Sequence, residues 1–301
     1  MHMNVGGRIM RKRLLAMIMV TVMTLGTLVG CGGSSNASTG DSGKKSSGER
    51  TVQEIKDRGV LKVGAKSDTV NIGMINTSTG QYEGYDIDVA YEIAAAIFGV
   101  TYDEAVAKHL CEFTSVTAKT RGGLLDNGEL DCVAASFTVT EERKKSWNFT
   151  QQYRLEPVTF MVSKSANVKS LADMDGFVIG VGQGTTTAEL IGQYVKDKGI
   201  KAKYEIQDFQ YISDGVAALK TGQIDAYSVD RMGLMAYMDD TLMLTEDAFG
   251  IQDIGVALKL GNDELTKFMD DTISSLKASG RLDELKKKWG ILLDDEVRAM
   301  Q

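Results

Sequence analysis

Thr117–Phe149 reads TAKTRGGLLDNGELDCVAASFTVTEERKKSWNF, and this stretch decides the fold that the sequence predicts. Its LLDNG segment is typical of a helix end, because asparagine and glycine readily adopt the left-handed conformation that closes a helix. The run Leu130–Phe137 that follows is almost entirely apolar, as expected for a parallel strand that is covered on both faces. The stretch therefore predicts a helix, a buried strand, a turn and a second helix, which is the repeating unit of an α/β fold.

Thr138 and Glu141 have the spacing of a capping box for the second predicted helix. Each of the two predicted helices carries an arginine in its first turn: Arg121 in the first and Arg143 in the second. The N-terminus of a helix already bears a partial positive charge, so a cation is unfavourable there. Two such arginines flanking one strand indicate a site for anionic groups. The residues alone leave an alternative open, in which both are surface arginines paired with acids such as Asp126 or Glu141.

A second region repeats the pattern, because ALKTGQIDAYSVD at Ala218–Asp230 matches LLDNGELDCVAAS as helix end, glycine stop and buried strand. Asp230 ends the second strand as Thr138 ends the first. It is either a carboxylate facing a ligand or the N-cap of the next helix, and the two roles are compatible. Ligands of open α/β sheets bind beyond the carboxyl ends of the strands, where helices begin. Four residues fall at such junctions: Lys66, Arg121, Thr138 and Arg143.

Between these units, FVIGVGQGTTTAEL at Phe177–Leu190 predicts a strand, a glycine-rich turn and a helix N-terminus. Its glycine spacing partly resembles a dinucleotide-binding loop. The third glycine of that fingerprint is missing, with threonines in its place, and the first strand–helix–strand unit of the chain lies elsewhere. Nucleotide binding is therefore disfavoured, whereas the free N–H groups and hydroxyls of this turn suit a carboxylate.

Two halves of this kind predict an α/β protein with two lobes and a ligand cleft between them. Each lobe is expected to be a mostly parallel sheet flanked by helices, and two hinge strands connect the lobes. The chain is expected to leave the first lobe near Tyr153–Phe160 and to return near Thr245–Val256. The predicted boundaries are 51–156 for the first part of lobe 1, 157–247 for lobe 2, and 248–301 for the C-terminal part of lobe 1.

The N-terminus predicts an export signal over residues 1–30. Basic residues precede a short apolar run, Leu14–Val29, and the segment Leu28-Val29-Gly30-Cys31 resembles the bacterial lipobox, whose cysteine is lipidated. A Gly/Ser-rich stretch over 31–50 then predicts a flexible tether that holds the folded body near a membrane without crossing it. A plain secretory signal with an incidental Cys31 is the alternative.

Charge and composition exclude several classes of function. Removing the leader lowers the count of Lys and Arg from 34 to 30 against 41 acids, which gives a net charge of about −11 and disfavours nucleic acid and anionic lipid as partners. Only two histidines are present, so zinc clusters and Ser-His-Asp chemistry have few residues available, and no metal or cofactor is expected. Cys111 and Cys132 lie on predicted strands, where two isolated buried thiols are favoured over a disulfide.

From Val52 to Gly290 the chain resembles the extracellular solute-binding proteins of polar amino-acid ABC transporters (family 3). The resemblance rests on several segments in the order of that family: LKVGAKSD, GYDIDVAYEIA, TAKTRGGLLDNGELD, SFTVTEERKKSWNFT, SLADMDGFVIGVGQGTTT and IDAYSVD. The TAKTRGGLLDNG run is most similar to the subgroup that binds glutamate and aspartate. The resemblance implies the periplasmic-binding-protein (type II) fold, with hinge closure of the lobes around an amino acid.

The resemblance also implies how the amino-acid head group is held. Arg143, with Thr138 and the backbone around Ser136, would bind the α-carboxylate of the ligand. Asp230 would pair with the α-ammonium group. A planar guanidinium suits a carboxylate because it donates two parallel hydrogen bonds.

The side chain of the ligand would meet a different set of residues. The resemblance implies that Arg121 binds a side-chain carboxylate, with Lys66 nearby. Thr186 and Thr187, at a helix N-terminus of the second lobe, would close over the ligand, and Tyr211 would contribute a hydroxyl or its ring. The three cations Lys66, Arg121 and Arg143 and the anion Asp230 then match the two carboxylates and one ammonium of glutamate or aspartate.

The sequence departs from the family pattern at two places. Gln151-Gln152-Tyr153-Arg154 stands where a proline and paired aromatics are usual, and Val70 and Ile72 lie where an aromatic often follows the first strand. Both differences touch the hinge or the apolar wall of the ligand site, so they bear on the ligand more than on the fold.

The leading interpretation is a monomeric, lipid-anchored binding protein on the outer face of a bacterial cell membrane. It would capture glutamate or aspartate and deliver the ligand to the permease of an ABC transporter, without catalysing a reaction. The alternative is an enzyme on the same scaffold, such as a dehydratase of a carboxylated substrate, with Glu141 or Glu142 as the acid or base.

Overall fold

The protein is described by a computed structural model over residues 50–300. The predicted signal peptide, Cys31 and the predicted tether up to residue 49 lie outside the described residues. The helices are α1 Val52–Arg58, α2 Tyr85–Phe98, α3 Tyr102–Ala107, α4 Arg121–Asp126, α5 Thr187–Lys198, α6 Ile212–Lys220, α7 Arg231–Met235, α8 Asp263–Ala278, α9 Arg281–Lys288 and α10 Asp294–Arg298. Within residues 50–300, no helix is both long enough and apolar enough to cross a membrane.

The strands form two main sheets and one small sheet. They are β1 Leu61–Ala65, β2 Asp68–Thr69, β3 Gly73–Ile75, β4 Tyr82–Glu83, β5 Cys111–Ser115, β6 Cys132–Ala134, β7 Trp147–Phe149, β8 Arg154–Ser163, β9 Phe177–Gly182, β10 Tyr204–Phe209, β11 Ala226–Asp230, β12 Leu242–Leu244, β13 Phe249–Ile254 and β14 Ala257–Lys259. The first sheet has the order β5-β1-β6-β14-β7, the second has the order β10-β9-β11-β8-β12, and β13 pairs with β8. We call each main sheet with its packed helices the first and the second lobe.

The core of each lobe follows from the pattern of apolar residues. In the first lobe β1 runs parallel to β5 and β6, and α2 packs on β1 and β6 with α8 and α9 against its other side. Most buried positions of α2 are apolar, with Asp86 and Asp88 as the buried exceptions, and Gly84 and Gly99 bound this helix as its caps. In the second lobe β9 runs parallel to β10 and β11, with α5 and α6 packed against it.

Gly84 is the glycine that positions α2. Its φ is 134°, and a Cβ atom there would lie 2.4 Å from the carbonyl oxygen of Ile72. Only glycine fits so close to another backbone, since an added carbon would overlap it. The first turn of α2 therefore approaches β3 closely, and this places Asp86 inside the protein, where it is fully buried.

Two chain crossings connect the lobes and run side by side. The first lies between β7 and β8, and the second between β13 and β14. Tyr153 N donates to Ile254 O at 2.9 Å, and Thr150 N donates to Val256 O at 3.0 Å. The sequence placed these crossings near Tyr153–Phe160 and near Thr245–Val256. The exact lobe boundaries that the sequence predicted stay a prediction.

The prediction of a second helix in the stretch Thr117–Phe149 is wrong. Arg143–Lys145 forms only one 3-10 turn, and Thr138 and Glu141 form no capping box. The reason is long-range pairing: Thr138 bridges to Ile254, and Val139 N donates to Asp253 O at 2.8 Å. The backbone after β6 is therefore tied to the returning chain, and too few residues remain before β7 for a helix.

Both cysteines of the described chain are buried free thiols, as the sequence favoured. Cys111 on β5 and Cys132 on β6 each lie beside β1, which separates their strands. Burial raises the pKa of the Cys111 and Cys132 thiols above the ordinary range, so both stay protonated at neutral pH. They serve as small apolar core residues.

Candidate ligand-binding site

A cavity lies between the two lobes, beyond the carboxyl ends of β1, β6, β9 and β11. This is the edge at which open α/β sheets bind their ligands, and the parallel strands of both lobes point their ends at it. Five residues that the sequence predicted for the ligand site line this cavity with charged or polar side chains: Lys66, Arg121, Ser136, Thr138 and Asp230. The lining also includes residues that the sequence did not single out for the site, above all Arg154 and Gln252.

Arg121 is a buried cation with only neutral partners. It begins α4, is 3% exposed, and donates from Nη1 to Ala135 O at 2.7 Å and to Ser136 O at 3.1 Å. Its Cζ lies 3.8 Å from the centre of the Phe137 ring. In the part of the chain that the structure describes, it has no salt bridge, and its buried Nε has no hydrogen-bond partner.

The electrostatics of Arg121 reflect this environment. Burial, with the positive charge of Arg143 added, lowers the pKa of Arg121 to about 9. A guanidinium is normally charged well above that range. The carbonyl oxygens and the aromatic face offset part of the cost of burial, but they do not neutralise the charge. The site thus holds a cation that an incoming anion would stabilise.

Arg143 lies beside the cavity and joins the two lobes. It donates from Nη1 to Thr138 O at 2.9 Å and from Nη2 to Gly184 O at 3.2 Å. Its Cζ lies 5.1 Å from the centre of the Phe137 ring that also contacts Arg121. Burial lowers the pKa of Arg143, and the carboxylate of Asp230 opposes that shift. Arg143 is not among the residues that line the cavity, so its predicted contact with a ligand carboxylate stays a prediction.

Asp230 supplies the only carboxylate among the described residues that line the cavity. It ends β11 and stands at the N-cap position of α7, but its side chain makes no capping hydrogen bond. Its Oδ1 instead accepts from Gln252 Nε2 at 2.8 Å. The side chain therefore lines the cavity without capping α7, and its contact with a ligand stays a prediction.

The threonines predicted to close over the ligand occupy different positions. Thr186 Oγ1 donates to Gln252 Oε1 at 2.6 Å, and Thr138 Oγ1 donates to the same oxygen at 2.6 Å. Thr187 is buried and accepts from Thr185 Oγ1 at 3.1 Å, and it is Thr185 that lines the cavity.

Lys66 and Tyr211 differ in how near they come to the cavity. Lys66 lines it and lies 3.3 Å from Asp68 Oδ1, so its charge is already paired. Tyr211 precedes α6, is 44% exposed and is not among the lining residues. The structure thus brings Lys66 to the cavity but not Tyr211, although Gln210 and Ile212, its neighbours in the sequence, line it.

A buried charge cluster reaches the cavity through Arg154, and no local sequence pattern predicted it. Arg154 at the start of β8 is 1% exposed and donates to Glu156 and, at 2.8 Å, to Ser136 Oγ, while its Nε lies 3.5 Å from Asp86 Oδ1. Glu156 Oε1 accepts from Met232 N at 2.9 Å. The cluster therefore links α2, the crossing strand β8 and α7. One signal for it was available, since two charged residues interrupt the otherwise apolar strand RLEPVTFMVS.

The chain is similar to proteins of known function over most of its length. The sequence profile of the family described as bacterial extracellular solute-binding proteins, family 3, matches residues 61–291. An ABC transporter glutamine-binding protein of Bacillus subtilis is 33% identical over 281 residues, which are 92% of this chain and 97% of that protein. A glutamine-binding protein of Geobacillus stearothermophilus is 31% identical over 249 residues, which are 80% of this chain and 90% of that protein.

Solved structures show the same architecture. An ancestral arginine-binding protein bound to arginine superposes with a TM-score of 0.66 at 28% identity, covering 77% of this chain and 98% of that chain. The predicted periplasmic-binding-protein (type II) fold is confirmed. The matched curated relatives are transport proteins, which agrees with the prediction that the chain is not an enzyme. Glu141 and Glu142, the candidate acid and base of the enzyme alternative, are exposed and paired with Lys144 and Lys145.

Proposed function

This chain belongs to family 3 of the bacterial extracellular solute-binding proteins, and we propose that the amino acid it binds for its ABC transporter is an acidic one, glutamate or aspartate. The observation that carries the proposal is Arg121, a buried cavity cation with no carboxylate partner among the described residues. A buried charge without a counter-charge costs several kcal/mol, on the order of 3–5. A ligand carboxylate would supply the missing counter-charge.

The charges around the cavity fit an α-amino dicarboxylate. Lys66 is paired with Asp68, and Arg154 is paired with Glu156 and Asp86, so these cations are already compensated. Among the charged side chains in and beside the cavity, this leaves Arg121, Arg143 and Asp230 without a salt bridge to any of residues 50–300, although the Asp230 carboxylate acts on both arginines electrostatically. Two carboxylates and one ammonium group complement that set. The two lobes would close around such a ligand, because two residues of the first lobe already contact the second: Arg143 donates to Gly184 O, and Thr138 donates to Gln252 on β13.

Glutamine is the second candidate. The two curated relatives described above are named as glutamine-binding, and Arg121 already has two carbonyl acceptors and an aromatic face. A guanidinium with these contacts can donate to the neutral oxygen of a carboxamide as well as to a carboxylate. The two candidates differ in how much of the binding free energy Arg121 contributes.

Titration calorimetry with glutamate, aspartate, glutamine, arginine and cystine tests the assignment. We expect glutamate or aspartate to bind at least about tenfold more tightly than glutamine, because only they neutralise Arg121. Arg121→Met should then weaken binding of the acidic ligand by roughly 30- to 1000-fold, and binding of glutamine by less than about tenfold. Lys119→Met, which removes an exposed cation from the loop before α4, is the matched control. Heat from glutamine or arginine, with none from glutamate or aspartate, would rule out the acidic assignment.

We also propose that Cys31 is lipidated and anchors the protein to the outer face of the cell membrane. Support comes from the basic residues and the apolar run that precede Leu28-Val29-Gly30-Cys31, and from the Gly/Ser-rich stretch that follows. When the full chain is expressed in a bacterium that is fed radiolabelled palmitate, we expect labelled protein in the membrane fraction. Cys31→Ser should lose the label and most of the membrane retention, whereas the neighbouring change Ser34→Ala should lose neither. A Cys31→Ser protein that stays labelled would contradict the proposal.

A further inference from the structure

The Gln252 side chain occupies the centre of the candidate site. Gln252 lies on β13, one of the strands next to the lobe crossings, and is 4% exposed. Its Oε1 accepts from Thr138 Oγ1 and from Thr186 Oγ1, both at 2.6 Å, and its Nε2 donates to Asp230 Oδ1 at 2.8 Å. One carboxamide therefore binds the strand end of the first lobe, a helix N-terminus of the second lobe and the carboxylate at the end of β11.

The orientation of this carboxamide is fixed by chemistry. A carboxylate only accepts hydrogen bonds, so the atom that faces Asp230 has to be the NH2 group. The oxygen then faces the two hydroxyls, each of which can donate one hydrogen bond to it. All three contacts are satisfied at once in this orientation, whereas the flipped one would place the amide oxygen against the acceptor oxygen of Asp230.

The resemblance to family 3 implies that all three partners of Gln252 contact the ligand. Thr138 is assigned to the α-carboxylate, Thr186 to closure over the ligand, and Asp230 to the α-ammonium. A carboxamide presents an acceptor oxygen and a donor nitrogen on one carbon, as an amino acid presents its carboxylate and ammonium on neighbouring atoms. Gln252 thus offers the site the same acceptor and donor pattern as a ligand does, but without charge.

We propose that the Gln252 carboxamide competes with the head group of the incoming amino acid for Thr138, Thr186 and Asp230, and that its hydrogen bond with Thr138 links the first lobe to the second. The proposal rests on the proposed function, since it takes Thr138, Thr186 and Asp230 as head-group contacts. The ligand has to displace the carboxamide from these three groups. Its apparent affinity is then the intrinsic affinity multiplied by the fraction of molecules in which these three groups are free of the carboxamide.

The first test needs no ligand. Small-angle X-ray scattering of protein without added amino acid should give a larger radius of gyration for Gln252→Ala and Gln252→Met than for the wild type, because both variants lose the Gln252–Thr138 link between the lobes and keep the Arg143–Gly184 contact. Methionine keeps the volume of the side chain but cannot form the three hydrogen bonds, so it separates the loss of bonding from the loss of volume. Gln223→Ala, an exposed glutamine after α6, is the control and should scatter as the wild type does.

The second test measures competition. Calorimetry with L-glutamate, repeated with L-glutamine, should show that Gln252→Ala binds the preferred ligand about three- to tenfold more tightly than the wild type. Unchanged scattering of both variants, or a fall in affinity, would overturn the proposal, since Gln252 would then be a structural residue or a ligand contact. If the wild type binds neither amino acid, the ligand assignment fails, and the scattering comparison still decides the role of Gln252.

Discussion

Replacing Arg154 with methionine is expected to lower the free energy of unfolding by roughly 3–5 kcal/mol at neutral pH. Arg154 is the only cation of the described cluster that contains Asp86 and Glu156, and all three side chains are fully or almost fully buried. Methionine fills a similar space but leaves two carboxylates in the interior without a counter-charge. For a domain of this size the loss corresponds to a fall in melting temperature on the order of 10 °C.

The pH dependence of the Arg154→Met variant follows from the two carboxylates. Burial raises the pKa of Glu156 to about 7 even with Arg154 beside it, and burial also raises the pKa of Asp86. An acid with a raised pKa in the folded state holds its proton where the unfolded chain has released it, so stability falls as pH rises through that window. Without Arg154 both pKa values rise further. The variant should therefore be closest to the wild type near pH 5 and furthest from it near pH 8.

Thermal and urea unfolding of Arg154→Met at pH 5, 7 and 8 measure this effect. The double variant Arg154→Met/Glu156→Gln also removes the unpaired Glu156 carboxylate and should recover part of the lost stability at pH 8. Lys267→Met is the matched control, because Lys267 is exposed and solvent screens its pair with Asp271. A loss below about 1 kcal/mol at pH 8 for Arg154→Met would mean that the two carboxylates are already neutral in the wild type.

Local signals were enough to predict the α/β units, because each unit is encoded by adjacent residues. Gly99 closes α2 and Gly222 precedes β11, as the helix–glycine–strand pattern indicated. Arg121 was located by its unfavourable place in a first turn, and the structure shows that it is buried at the cavity. These features depend on spacing over a few residues, which the sequence displays directly.

The features that the sequence missed depend on contacts between distant residues. The helix expected after Thr138 is replaced by pairing with Ile254, and the Thr138–Gln252 hydrogen bond spans 114 positions. Arg154 was noted only as a departure from an aromatic pattern, although its charge has to be balanced inside the protein. Its partner Asp86 is 68 positions away in the chain, and no local pattern connects the two.

Asp230→Asn is expected to weaken binding of the amino-acid ligand by roughly 30- to 1000-fold, which corresponds to about 2–4 kcal/mol. Asp230 is the only carboxylate among the described cavity-lining residues, and no cation of residues 50–300 forms a salt bridge with it. A ligand ammonium buried beside asparagine would lose its counter-charge while it keeps most of its shape complementarity. The same substitution also weakens the hydrogen bond from Gln252 to position 230, and this makes the site easier for the ligand to enter. The observed loss of affinity is therefore a lower limit for the contribution of the contact between the ligand ammonium and Asp230.

Calorimetry with L-glutamate and with glutarate isolates that contact, because glutarate has both carboxylates and no ammonium group. We expect Asp230→Asn to lower the affinity for glutamate strongly and to leave the weak binding of glutarate unchanged or slightly tighter, since a repulsive carboxylate is removed. Asp208→Asn makes the same chemical change at an exposed position of β10 in the same sheet, and it controls for the altered net charge. Equal losses for glutamate and glutarate would show that Asp230 acts on the shape of the site, and an unchanged glutamate affinity would place the ammonium elsewhere in the cavity.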